Sequence, residues 1–137
     1  VNLPYNMTVN QIVIMTGATV TTAGTFQVGL YSEDGQTQLI NVTSPTINAV
    51  STAFAISLSP ALNLNPGNYY TAIIPIGTAN AIIETWTSPR TINTALNGKP
   101  VLAGTLSGQT AGTLPATITP SWITFASPRI LFIRFDN

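Results

Sequence analysis

Four carboxylates make up the acidic repertoire of this chain: Glu33, Asp34, Glu84 and Asp136. Two such groups can hydrolyse a glycoside when they are held about 5–9.5 Å apart. Here Glu33 and Asp34 are neighbours in a polar Glu33-Asp34-Gly35-Gln36 stretch, Glu84 stands in an apolar run, and Asp136 is next to the last residue. That distribution reads as solvated charge. Ser and Thr are abundant, but there is no His, no Cys and a single Lys, Lys99. Nothing evident therefore activates a hydroxyl for nucleophilic attack. Gly104-Thr105-Leu106-Ser107-Gly108 lacks the Lys of a phosphate-cradling loop. Calcium needs several converging oxygens, and Glu33-Asp34 supplies only two adjacent carboxylates. The expectation is a chain with no catalytic residue, no metal site and no cofactor.

Recognition chemistry is better supplied. Sugars stack on exposed aromatic faces, with amide and carboxylate groups for the hydroxyls. Trp86 and Trp122 border the irregular 87–120 region, and Tyr31 sits beside the Glu33-Asp34-Gly35 tip. These three are the candidate carbohydrate-binding residues, and packing in a core or an interface is the competing role for the two Trp. Tyr69 and Tyr70 are adjacent in an apolar run, so one of them must face inward. Asn6-Met7-Thr8 and Asn41-Val42-Thr43 match the glycosylation sequon. In a chain so rich in Asn and Thr, such matches arise by chance.

Composition narrows the partners. The 137 residues fit one domain, with 45% hydrophobic but only 6% charged residues. Ordinary globular chains carry about 25% charged residues, so Thr, Asn, Ser and Gln must supply the polar surface. Disordered chains have the opposite balance. The net charge is zero, with Arg90, Lys99, Arg129 and Arg134 scattered along the chain. Four dispersed cations make no basic field, so nucleic acid and anionic membrane surfaces are not expected partners. No apolar run approaches the roughly 18 residues of a membrane span. Low net charge favours association. Strand faces such as Ile73/Ile76 with Ile82, or Phe132/Phe135, suggest more apolar surface than one domain buries. A closed homotrimer is the expected assembly. The chain starts at Val1 without a Met. That start fits a C-terminal fragment of a longer chain, or equally a processed terminus.

The elements that must position these residues are strands. Gln11-Ile12-Val13-Ile14-Met15 reads as a strand buried on both faces, followed by a turn at Thr21-Thr22-Ala23-Gly24. Phe26, Val28 and Leu30 alternate with Gln27, Gly29 and Tyr31 at a period of two. Asp34-Gly35 marks a hairpin tip, and Leu39-Ile40-Asn41-Val42 is the return strand. Phe54, Ile56 and Leu58 alternate in the next strand, and Asn65-Pro66-Gly67-Asn68 is a turn. Strands follow over 69–74, 81–86 and 129–135. Residues 87–120 read as a long excursion with one or two short strands. With about eight strands and no helical stretch, the expected fold is a single all-β domain over 1–137, an antiparallel jelly-roll-like β-sandwich.

Several words in this pattern resemble a β-sandwich module of bacteriophage tail proteins. Thr8-Val9-Asn10-Gln11-Ile12 and Val20-Thr21-Thr22-Ala23-Gly24 resemble its start. Val28-Gly29-Leu30-Tyr31-Ser32-Glu33-Asp34-Gly35 is similar to its strand and hairpin. Leu64-Asn65-Pro66-Gly67-Asn68-Tyr69-Tyr70-Thr71-Ala72 is similar to its Pro-Gly turn and strand. Ala111-Gly112-Thr113-Leu114-Pro115-Ala116 and Pro128-Arg129-Ile130 match its tail. The words cover most of the chain in the family's order, and the order carries the resemblance. It implies a virion structural protein of the tail fibre or tail tip, often trimeric and facing the host surface, with a role in carbohydrate recognition and adsorption. Its partners would be copies of itself, other virion proteins and host cell-surface glycan, and no catalytic residue is carried over. The alternative is a capsid decoration or other virion assembly protein without a receptor role. Either way the expected location is the virion, on the exterior of tail or capsid.

Overall fold

A computed structural model describes residues 2–3, 5–83, 85–87, 104–105, 112–119, 121–122, 129–131 and 133–136, with side chains at 3, 5–79 and 112–119. The chain is all-β, and every strand pair is antiparallel. In chain order the strands are β1 (Asn2–Leu3), β2 (Met7–Thr22), β3 (Phe26–Tyr31), β4 (Gln38–Thr43), β5 (Ala53–Leu64), β6 (Gly67–Asn68) and β7 (Tyr70–Pro75). They continue as β8 (Asn80–Ile83), β9 (Thr85–Thr87), β10 (Gly104–Thr105), β11 (Ser121–Trp122), β12 (Arg129–Leu131) and β13 (Ile133–Asp136). About eight strands are expected from the sequence. The larger number arises where one apolar run changes partner. β6 pairs with β1 but β7 with β3, β8 with β2 but β9 with β12, and β13 leaves β12 to pair with β2.

Two sheets share one core. The first runs β13-β2-β5, with β8 on the far end of β2, and the second runs β4-β3-β7. Val9, Ile12 and Ile14 of β2 and Ile56, Leu58 and Leu64 of β5 meet Phe26, Val28 and Leu30 of β3 in a single cluster that also takes in Ile47. Val13 points to the other face of β2 and is still nearly buried, so the central strand is covered on both sides as expected. Ile73 packs against the same cluster and forms no separate patch, while the side chains of Ile82, Phe132 and Phe135 lie outside the described residues.

The inward phase of β2 switches along its length. Val9 and Ile12 both face the core although they are three apart, which a period of two forbids. β5 accommodates the switch. Val9 pairs with Leu62 and Gln11 with Ser57, so two steps on β2 oppose five on β5. The odd number of extra residues lets Ile56, Leu58, Leu62 and Leu64 keep one phase while β2 changes its own.

The turn expected at Thr21-Thr22-Ala23-Gly24 is shorter than that, because β2 runs through Thr22. Gly24 instead exchanges backbone hydrogen bonds with Ile47, its N–H donating at 3.2 Å and its carbonyl accepting at 2.8 Å. A Cβ there would sit 2.5 Å from that of Ala79, which is why the position needs glycine.

Fully buried Thr16 ties the 49–52 loop to β2. Its hydroxyl donates to the Ala49 carbonyl at 2.8 Å and accepts from the Thr52 N–H at 3.0 Å. Thr16→Val keeps the shape but strands both partners. It is expected to cost about 1–3 kcal/mol in urea denaturation, with Thr16→Ser closer to wild type. An unchanged midpoint for Thr16→Val would refute that role.

Candidate functional site

Tyr31 does not present a face for sugar stacking. It is fully buried, because residues 112–119 lie as a strap across the outer face of β3. The Tyr31 hydroxyl donates to the Pro115 carbonyl at 2.7 Å and accepts from Gln38 Nε2 at 2.8 Å. Gln38 also reaches the Pro115 carbonyl, at 3.2 Å. Burial pushes the phenol's pKa up, and the Gln38 amide opposes this by favouring the phenolate. Beside it, the Leu114 N–H donates to Gln27 Oε1 at 2.7 Å. Gly29 leaves room for the Leu114 side chain, since a Cβ would lie 2.9 Å from Leu114 Cδ1. The Ile118 N–H closes the strap onto the Gly35 carbonyl at 2.8 Å.

The other two candidates belong to other sheets than Tyr31. Trp86 is in β9 opposite Ile130, and Trp122 is in β11 opposite Gly104. These are two separate two-stranded sheets. Both side chains lie outside the described residues, as does Glu84.

Glu33 and Asp34 form the expected hairpin tip. Asp34 Oδ1 accepts from the Ser32 hydroxyl and from the Gln36 N–H at 2.9 Å. These bonds, the Ser32 one foremost, hold its carboxyl below the usual range. They make Asp34 a turn-forming group. Glu33 Oε1 accepts from Asn68 Nδ2 at 2.7 Å, joining the hairpin tip to the 65–68 turn. Asp136 stands opposite Gln11 at the end of β13. Among the described residues no three His, Cys, Asp or Glu gather as metal ligands, and no helix is long and apolar enough to cross a membrane.

The joined turns border an open depression of about 370 Å³. This is at the small end of the roughly 300–1,000 Å³ range of small-molecule sites. Ser32 and Glu33 of the hairpin tip line it together with Leu62, Asn65, Asn68 and Tyr69. The half-buried Tyr69 ring is held by its hydroxyl, which donates to the Asn65 carbonyl at 2.8 Å. A second depression, about 260 Å³, shares Asn63, Leu64 and Asn65 and adds Asn6, Met7 and Thr8. Thr8 Oγ1 donates to Asn63 Oδ1 across it at 2.7 Å. An apolar ring edge set among amides suits a ligand with both CH faces and hydroxyls. Sequence reading places aromatic recognition near this tip but assigns it to Tyr31. Tyr69 is the aromatic that lines the depression, and the Leu64-Asn65-Pro66-Gly67-Asn68 word, read as a turn, is one of its walls. Comparison with protein-family models, curated proteins and solved structures finds no match to this chain.

Proposed function

We propose that this chain is a structural module of a bacteriophage virion, from the tail fibre or tail tip, that takes part in adsorption by recognising host-surface carbohydrate. The observation that carries the reading is the amide-lined depression with Tyr69 on its wall, beside the joined hairpin tip and 65–68 turn. The resemblance supports it further. Its strand-and-hairpin word and its Ala-Gly-x-Leu-Pro-Ala word meet in the structure, through the Tyr31 hydroxyl on the Pro115 carbonyl and the close approach of Leu114 to Gly29. The reading takes the two sheets as a jelly-roll-like sandwich and the chain as a binding part, with no catalysis and no cofactor. Its test is adsorption. The purified chain is expected to bind host cells and to compete with virus for them. Failure in both would overturn the reading, and binding to emptied capsids instead would favour a decoration role.

The module is read as a trimer. On the outer face Ala53, Ala55 and Ser57 of β5 stand opposite Met15, Val13 and Gln11 of β2, and β13 places Arg134 and Asp136 opposite Val13 and Gln11 on the other side. Ala53, Ala55 and Ser57 are exposed. Light scattering at micromolar concentration is expected to give the mass of three chains, and Ala55→Glu to lower it. A monomeric wild type would sink this assembly.

A further inference from the structure

We propose that the two depressions act as one elongated site for a linear oligosaccharide, and that Tyr5 supplies the stacking face at one end of it. The proposal rests on the carbohydrate reading above and adds the length of the ligand and the aromatic that reads it. Tyr5 is 62% exposed, more than any other large hydrophobic residue among those described. Two strand registers fix where it stands. β1 sets Leu3 opposite Gly67, and β2 sets Met7 opposite Leu64. The link between β1 and β2 therefore passes Asn65 and Pro66, and Tyr5 lies in that link. Asn65 lines both depressions, and its carbonyl holds the Tyr69 hydroxyl at 2.8 Å. Tyr69 thus reaches Asn65 from the hairpin-tip depression, while Tyr5 leads directly into Asn6, Met7 and Thr8 of the smaller one.

Neither depression is a full site for a compact ligand. The smaller, at about 260 Å³, falls below the roughly 300–1,000 Å³ of small-molecule pockets, and the larger, at about 370 Å³, is near its lower end. Asn63, Leu64 and Asn65 are common to both and join them. A linear sugar chain needs no enclosure. It is held by its CH faces on aromatic rings and by its hydroxyls on groups that both donate and accept, as side-chain amides do. Asn6, Asn63 and Asn65 are all exposed and offer such amides along the joined depressions.

The test titrates the whole chain with linear oligomers of glucose and of N-acetylglucosamine, from one to six units, with host-cell adsorption measured in parallel. Affinity is expected to rise by about tenfold or more from one unit to six, because a longer chain engages linked subsites. Tyr5→Ala is expected to weaken the six-unit oligomers by about threefold to tenfold, the effect of one lost stacking ring, and Tyr5→Phe to bind as wild type. Asn65→Ala is expected to weaken binding by about threefold to tenfold, the effect of one amide's hydrogen bonds. Both residues are exposed, so the urea midpoint is expected to stay where it is. Equal affinity for one unit and for six would overturn the proposal, as would full affinity in Tyr5→Ala, although carbohydrate recognition itself would then stand. Tyr5→Phe binding as weakly as Tyr5→Ala would overturn the stacking role. Adsorption to cells without binding of any oligomer removes this site and leaves the adhesion role. Loss of both removes the two together.

Discussion

Gly35→Ala is expected to lower stability by about 2–4 kcal/mol and to release the strap from the hairpin. Two effects combine at this position. Gly35 has φ of +72°, where a side chain is strained, and a Cβ would lie 2.3 Å from the Ile118 carbonyl oxygen. That oxygen belongs to backbone, so it cannot swing aside as a side-chain tip would. Relief requires the strap to move, which breaks the bond from the Ile118 N–H to the Gly35 carbonyl. Gly77→Ala separates the two effects. Gly77 has φ of +62° but nothing within 4 Å of a new Cβ. It should lose only the conformational part, about 1 kcal/mol. The readouts are the urea midpoint and hydrogen exchange at the Ile118 amide. Equal losses in the two variants, with Ile118 still protected, would show that the strap does not bear on Gly35.

Tyr31→Ala is expected to cost about 3–5 kcal/mol, as for other large buried rings. Tyr31→Phe should cost about 1 kcal/mol, because Gln38 still reaches the Pro115 carbonyl after the hydroxyl is gone. The pair carries a pH signature. Burial raises the folded-state pKa of Tyr31 above that of the unfolded chain. Below the unfolded value both states hold the proton, and the stability contribution is fully present. As pH rises above about 10, the unfolded state ionises first and stability falls. Tyr31→Phe should remove that share of the alkaline decline. Identical alkaline profiles for Phe and wild type would mean that the phenol is not held as described.

The parts of the fold legible in the sequence are those set by neighbours in the chain. Phe26, Val28 and Leu30 all reach the core, and the Asp34-Gly35 tip forms where it is expected. Ile56 and Leu58 keep their alternation in β5. The phase switch between Val9 and Ile12 is not legible, because it depends on extra residues in another strand. The burial of Tyr31 is hidden for a similar reason. In a period-two pattern Gln27, Gly29 and Tyr31 read as a solvent face, yet the group that covers them is 84 residues further along at Pro115. One local signal was present. A glycine inside a strand marks a close approach by something else, and Gly29 is where Leu114 comes in. The depression was half legible: the tip and the Pro-Gly turn could each be read, but not that Glu33 and Asn68 join them.

The strap also bears on how such a module can diversify. The stretch between β9 and the strap starts from a strand paired to β12 and returns to a segment fastened on β3. Its two ends are fixed by contacts of their own, and within it β10 is held by β11. The entropy of closing a loop grows only with the logarithm of its length, so doubling such a stretch costs only about 0.6 kcal/mol. Fastening the return point at β3 therefore means that residues added before β10 lengthen one closure while the Leu114 and Pro115 contacts stay as they are.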